Sequence, residues 1–396
     1  MDLMPLLTEA ERYFSEKDID RAAALFVHAN KVCNGSHPLP MVGLARIAIV
    51  TRRFTDASAI LDDVLTRFPR CAEALTARGV IIEAEGHLED AMDWHSRALM
   101  VDPTLSTAHY NLGRCHGLRE RWDLAAASLT LAIQHGATGP AVKLALGTAL
   151  FKAKRTSEAI KVMTLTVNAH PNHVEAILAL SDALVETGAL GLAAQLLDNA
   201  KPRLPNVAVI ASRRAAVALL LKDLEAASRE AWRTTELAPK DEEAWLFAAV
   251  VDSMRLRFDT AEKALKTVLR LNPENWRAHY HLGGLSDAIK DKQHAMKCYR
   301  AAMAANAHAW EPLNNLAIML LETGTKKAAE EAKLLLERAI RLGIGPDAVV
   351  THYNLSLAYL KLGELAAVRR TAQHLLKVAP PEHPMATEAA RLLRAA

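Results

Sequence analysis

Sixteen histidines and four cysteines are the residues of this 396-residue chain with the widest chemical reach. Imidazole binds transition metals and moves protons near neutral pH. His170 and His173 share one His-Pro-Asn-His string, but no cysteine or carboxylate joins them at metal-ligand spacing. Neither His-Glu-x-x-His nor His-x-x-Glu-His occurs. Cys33, Cys71, Cys115 and Cys298 are 38, 44 and 183 residues apart, too far for a zinc knuckle or a redox pair. They read as scattered, reduced and inert thiols. Gly-x-Gly-x-x-Gly, Gly-x-x-x-x-Gly-Lys-Ser/Thr and Gly-x-Ser-x-Gly are all absent. With no catalytic constellation, the expectation is a non-enzyme with no metal and no cofactor.

Composition narrows the class further. Hydrophobic side chains make up 51% and charged ones 23%, which suits a folded chain rather than a disordered one. Forty-eight Lys and Arg face forty-five Asp and Glu, a formal charge of +3, so no nucleic-acid partner is expected. No apolar run approaches eighteen residues, so no direct membrane insertion is expected. The start, Met1-Asp2-Leu3-Met4-Pro5, lacks the basic and apolar regions of a secretory signal, and the expected location is cytoplasmic.

What positions these residues is a period. Pro69, Pro103, Pro171, Pro205, Pro239 and Pro273 are separated by 34 or 68 residues. Alanine keeps the same comb at Ala57, Ala91, Ala125, Ala159, Ala193, Ala227, Ala261 and Ala295. When each unit is numbered so that its terminal proline is position 32, eleven units can be placed. Position 8 is then always small, from Ala10 and Ala45 through Gly79, Gly113 and Gly147 to Gly283 and Ser356. Position 20 is alanine in ten units and Val368 in the last. Position 24 is usually large and apolar, as at Phe26, Leu61, Leu129, Met163, Leu197, Leu265, Tyr299 and Leu336. Apolar residues recur at three- and four-residue steps in both halves of a unit. Gly86, Gly188, Gly324 and Gly363 at position 15 should end a first helix in the left-handed conformation, and the proline should end the second. Small residues at 8 and 20 let the two helices cross closely.

This pattern resembles the tetratricopeptide repeat, a 34-residue helix-turn-helix unit. The strings His109-Tyr110-Asn111-Leu112-Gly113, His279-Tyr280-His281-Leu282-Gly283 and His352-Tyr353-Asn354-Leu355 carry it most clearly. The resemblance implies an all-α, right-handed superhelical solenoid of stacked antiparallel helix pairs over residues 3–382, followed by a capping helix over 383–396. Extra residues are expected at Gly35–Pro40, at Lys326–Ala328 and around Gly343–Pro346. Arg78 and Arg214 break the apolar rule at position 7, and Pro5 and Glu9 weaken the first unit.

The resemblance also implies that first helices line a concave groove through positions 2, 5, 6, 9, 12 and 13. Two stretches of that groove are rich in polar contact chemistry. One holds Tyr110, Asn111 and Arg114; the other holds Arg277, Tyr280, His281, Asn314, Asn315, Tyr353 and Asn354. Asparagine offers donors and an acceptor to an extended backbone, and tyrosine adds rigid area with a polar tip. Asn315 and Asn354 stand out for peptide contact. The middle of the groove is acidic at Glu73, Glu83, Glu175, Asp182, Glu186 and Glu243, against Arg46, Lys152 and Arg213, which reads as a solvated surface. Position 9 never holds Asn, so a carboxylate clamp for chaperone C-termini is not expected. His109, His279 and His352 share position 4 and read as packing residues. The expected function is a non-catalytic scaffold or adaptor holding an extended protein or peptide partner in its groove. The alternatives are self-association as a structural protein, or service as an accessory subunit of an enzyme such as a glycosyltransferase.

Overall fold

The computed structural model describes residues 3–342, 348–379 and 384–395. Among the described residues there are twenty-three helices and no strand. The chain divides into two compact units, Met1–Leu204 and Pro205–Ala396. The first contains α1 (Leu3–Ser15), α2 (Ile19–Val32), α3 (Leu39–Val50), α4 (Phe54–Arg67), α5 (Ala72–Ala84), α6 (Leu88–Val101), α7 (Ser106–Leu118), α8 (Trp122–Gln134), α9 (Pro140–Lys152), α10 (Thr156–Ala169), α11 (Val174–Glu186) and α12 (Leu190–Ala200). The second contains α13 (Ala208–Leu220), α14 (Leu224–Leu237), α15 (Glu242–Met254), α16 (Phe258–Leu271), α17 (Trp276–Ala288), α18 (Lys292–Ala305), α19 (Glu311–Glu322), α20 (Lys326–Arg341), α21 (Ala348–Leu362), α22 (Leu365–Val378) and α23 (Pro384–Ala395).

Each odd-numbered helix up to α21 packs on the even-numbered helix that follows it, and this makes eleven pairs. The crossing is as close as small residues allow. Ala57, Ala91, Ala159, Ala193, Ala227, Ala261, Ala295 and Ala332 at position 20 are all fully buried, as is Val368. Large residues at position 24 fill the space beside position 8. A methyl added to Gly113 would meet Leu129 Cγ at 2.7 Å, and one on Gly147 would meet Met163 Cγ at 2.7 Å.

A single backbone device ends the first helix of every pair. Position 15 is left-handed in all eleven repeats: Gly86, Gly188, Gly324 and Gly363, but also Lys17, Arg52, Glu120, Lys154, Lys222, Leu256 and Lys290. Only four are glycine, so the turn is imposed by the packing of both helices rather than by glycine's freedom. Asp18, Asp223 and Asp291 then cap the second helices by accepting from backbone N–H groups in the first turn.

The irregularities resolve in simple ways. Pro5 does not interrupt α1; it lies in the first turn, where amide protons have no intrahelical acceptor to lose. The extra residues at Lys326–Ala328 lengthen the start of α20, which runs to 16 residues. Gly343–Pro346 lies outside the described residues. Arg78 is accommodated by turning its guanidinium to Ser58 and to Asp62, 3.4 Å away on α4. Helix α23 packs on α22 and α21, with Ala389 and Leu392 buried among Val368, Ala372 and Leu375.

Candidate functional site

Contacts that run from repeat to repeat include those between first helices, which pair as α1 with α3, α3 with α5, α5 with α7 and α7 with α9. That shared face carries a hollow of about 490 Å³. Phe14 from α1, Arg46, Ile49 and Val50 from α3, Glu73, Thr76, Ala77 and Val80 from α5, and Thr107, Tyr110 and Asn111 from α7 line it, with Leu105 just before α7. Apart from Leu105, every one of these occupies repeat position 2, 5, 6, 9, 12 or 13. The register decides this: steps of three and four residues place those positions on one helix face.

Neighbouring hollows continue the same surface. One of about 460 Å³ shares Ile49, Val50 and Val80 with the first and extends to Arg52, Phe54, Glu83 and Arg114. Another, of about 290 Å³, shares Thr107 and Tyr110 and runs on to Gly139, Ala141 and Val142 at the start of α9. Tyr110 therefore stands between two hollows as a common wall. The floor is mainly apolar. Its polar exceptions are informative: the Thr76 hydroxyl is buried without a hydrogen-bond partner in the described structure. Asn111, although it borders the hollow, is only 8% exposed.

Several first-helix charges pair from repeat to repeat, two on this face and one within the second unit. Arg46 pairs with Glu11 at 2.5 Å and lies over the Phe14 ring at 4.7 Å. Arg114 pairs with Glu83 at 2.7 Å and approaches the Tyr110 ring at 5.9 Å. Arg277 pairs with Glu243 at 2.8 Å. Glu83 and Glu243, two of the acids expected to colour the groove, are thus already matched by bases one repeat away.

The second cluster is built differently. Asn314 is buried, and its carbonyl oxygen accepts from Asn354 Nδ2 at 3.0 Å and from Thr351 Oγ1 at 3.3 Å. Asn354 is 6% exposed, so its amide ties α21 to α19 instead of facing outward. Asn315 donates from Nδ2 to Tyr299 Oη at 3.5 Å. Tyr280 packs against Tyr299 at 6.0 Å and edge-on to His281 at 5.2 Å. Burial, with the nearby Arg277 charge, depresses the His281 pKa to about 4. Tyr353 is partly buried against the core that α23 covers. Of the residues singled out in this stretch, Arg277 is the exposed one, and the asparagines act chiefly as ties between repeats.

The cysteines are free thiols, and burial raises Cys71 and Cys115 to about 11, which suppresses nucleophilic thiolate. Two of the position-4 histidines do more than pack. His109 Nε2 lies 2.9 Å from the Pro103 carbonyl oxygen, and His279 Nε2 lies 3.0 Å from that of Pro273. Sequence reading passed over most of the hollow's apolar floor, because Ile49, Val50 and Val80 look like any core residue. Their repeat positions were the signal.

A tetratricopeptide-repeat family model matches residues 42–106, 144–208 and 255–308. Mouse tetratricopeptide repeat protein 8 is 35% identical over 104 residues, which is 26% of this chain. That match spans 19%, about a fifth, of the mouse protein's length. Among solved structures, the C-terminal part of a repeat-containing protein from Cytophaga hutchinsonii superposes with a TM-score of 0.53 at 12% identity, covering 61% of this chain and 99% of that one. Yeast Tom70 gives 0.47 at 15% identity, covering 99% of this chain and 95% of its own. The family model and the 34-residue register of the eleven helix pairs describe the same repeat. The chain is therefore built of tetratricopeptide repeats, and proteins with such repeats generally mediate protein–protein interactions. Among the described residues, no helix is long and apolar enough to cross a membrane.

Proposed function

We propose that this protein is a non-catalytic interaction scaffold and that its first-helix face over α1 to α9 holds an extended, partly apolar segment of a partner protein. The supporting observation is the run of hollows joined through Ile49, Val50, Val80, Thr107 and Tyr110. Successive apolar side chains of an extended peptide fit a floor of Phe14, Ile49, Val50, Val80 and Tyr110. The bordering Asn111 supplies a hydrogen-bonding side chain at a fixed point. A surface already formed by packed helices loses little freedom on binding, so the contacts are spent on affinity rather than on ordering the scaffold. Tyr110 is the anchor: a rigid aromatic between two hollows is the kind of residue whose truncation dominates an interface.

The test is selection of peptides from a displayed library on the intact chain, followed by affinity measurement with Tyr110→Ala and Val80→Glu. Selected peptides should lose at least about tenfold in affinity with either variant while the melting temperature stays within a few degrees. Peptides that bind both variants as well as the parent, or a library that yields none, would remove this face as the working surface.

A further inference from the structure

One side chain breaks the packing rule of the repeats. Position 24 of the third repeat is His95, where eight of the other repeats place Leu, Met, Phe or Tyr and two place Ala231 and Ala372. It is completely buried, and neither Nδ1 nor Nε2 has a hydrogen-bond partner among the described residues. Buried imidazoles ordinarily satisfy at least one nitrogen, so an orphaned ring asks for a reason. The ring rests against Gly79, where an added methyl would meet it at 2.6 Å. Glycine there keeps room for the imidazole.

Two further donors converge on it. Glu83 on α5, His95 on α6 and Cys115 on α7 each offer a ligand atom, and these atoms lie within 4.8 Å of one another. Along the chain they are 12 and 20 residues apart, which hides the group from spacing rules. Cys115 Sγ is 3.9 Å from Glu83 Oε2. Around a tetrahedral zinc ion with ordinary bond lengths, ligand atoms stand roughly 3.3–3.8 Å apart. From separations of up to 4.8 Å, the three need to draw in by at most about 1–1.5 Å.

We infer that Glu83, His95 and Cys115 form a binding site for a divalent transition-metal ion, with zinc the best match to the donors. Nitrogen, sulfur and oxygen ligands in a small buried site suit a borderline-soft ion and disfavour calcium or magnesium, which seek oxygen cages. On binding, the Cys115 thiol releases its proton to solvent, and thiolate and carboxylate together balance the charge of the ion. The nearby Arg114 guanidinium opposes the ion, and it is held by Glu83 Oε1 at 2.7 Å, leaving Oε2 for the metal. A carboxylate fixed on one oxygen and free on the other is a typical second-layer arrangement. Glu83 also borders the hollow of about 460 Å³, which gives ions a way in and water a place at the fourth coordination position. This site would fasten α5, α6 and α7 directly beneath the first-helix face, independently of what that face binds.

The experiment uses the full chain, stripped with a chelator and titrated with Zn²⁺ against a chromogenic competitor, and in parallel with Co²⁺. The parent should take up one tight equivalent, show the intense visible bands of tetrahedral cobalt with a thiolate charge-transfer band, and melt at a higher temperature with Zn²⁺ present. His95→Leu is the decisive variant, because Gly113 over Leu129 already shows a glycine–leucine pair folding at these positions. It should fold, lose the tight equivalent and gain no stability from Zn²⁺. Cys115→Ala should lose the charge-transfer band. A parent chain without a tight equivalent would overturn the assignment, as would His95→Leu binding zinc like the parent.

Discussion

The His279 ring donates through Nε2 to the Pro273 carbonyl oxygen at 3.0 Å, six residues back. A carbonyl can only accept, so the bond fixes which nitrogen carries the proton. Two other repeats make the same tie at the same position: His109 to Pro103 at 2.9 Å, and Trp245 through its indole N–H to Pro239 at 3.0 Å. In these three repeats position 4 carries a ring with a donor on its far edge, and it clasps the inter-repeat turn that proline creates. His279→Phe keeps the ring and removes the donor, and should cost about 0.5–1.5 kcal/mol in urea unfolding. His279→Trp should recover most of that loss. Equal losses for both would show that bulk alone matters at this position.

Leu256 offers the opposite outcome, a gain. It is left-handed at φ 57° and 74% exposed, so it bears a steric penalty without burying its side chain. A non-glycine residue in that conformation costs roughly 1–2 kcal/mol, while glycine adds about 0.4–1 kcal/mol of disorder to the unfolded chain. Leu256→Gly should therefore stabilise by about 0.5–1 kcal/mol, measured by the same unfolding experiment. A destabilised variant would mean that the leucine makes contacts that outweigh its backbone strain.

The helix crossing can be tested by moving one repeat's solution into another. At Gly283 an added methyl would meet the Tyr299 ring 2.6 Å away, and an aromatic ring cannot swing aside as a flexible chain can. Gly283→Ala should cost about 1–3 kcal/mol by overpacking. Alanine with leucine already works at Ala249 and Leu265, both fully buried. Adding Tyr299→Leu to Gly283→Ala should therefore produce less loss than the two single changes summed, by more than about 0.5 kcal/mol. Strict additivity would mean that the two positions do not pack on one another.

The helix pairs were readable because burial at positions 8 and 20 tolerates almost nothing but Gly, Ala and Ser, so sterics print the period into the sequence. The left-handed turn was only partly readable: glycine marked it four times, while Lys17, Glu120 and Leu256 adopt it under tertiary constraint that no local propensity records. Polar residues were hardest. Asn354 and Tyr110 look alike as groove candidates, yet one is 6% exposed and bonded to Asn314 while the other walls two hollows. Which way an amide turns depends on a neighbour forty residues distant, and repeat position does not specify it. His95 did carry a sequence signal, as the polar residue in a column otherwise apolar, but its partners lie on other helices.

Acid should expose His281. Its pKa is about 4 in the folded chain against an ordinary 6.5, because burial disfavours the imidazolium and Arg277, itself paired with Glu243, adds like-charge repulsion. Above pH 6.5 the ring is neutral folded or unfolded and contributes no pH dependence. Between 6.5 and 4 the unfolded chain binds a proton that the folded one refuses, so stability falls by up to about 1.4 kcal/mol per pH unit. Denaturant midpoints measured from pH 7 to 4.5 should drop less steeply for His281→Leu than for the parent. Parallel curves would place the acid sensitivity on other groups.

Asp252 ties three helices through one carboxylate. Oδ1 accepts from Ser228 Oγ on α14 at 2.6 Å, and Oδ2 accepts from Trp232 Nε1 on α14 at 2.9 Å and from Thr260 Oγ1 on α16 at 2.6 Å. Arg255 on the same helix stands 3.6 Å from Oδ1. Burial works to raise the Asp252 pKa, yet those three hydrogen bonds and the arginine outweigh it and hold the group below its usual value. The stabilisation is therefore complete above about pH 4 and is lost as pH falls through the depressed folded value. Removing the charge at neutral pH should be severe, since Arg255 is nearly buried and three donors lose their acceptor. Asp252→Leu should cost about 3–5 kcal/mol. Asp252→Asn has the same shape but must point an NH₂ at one set of donors, so it should fall between the parent and the leucine variant. Trp232 gives a local readout: its indole bonds the carboxylate and meets Trp245 edge-on at 5.7 Å, so its fluorescence should change in both variants before global unfolding. If Asp252→Leu unfolds at the parent's denaturant midpoint, the carboxylate is a passenger and the apolar contacts of Leu246, Ala249 and Leu265 alone hold α15 to α16.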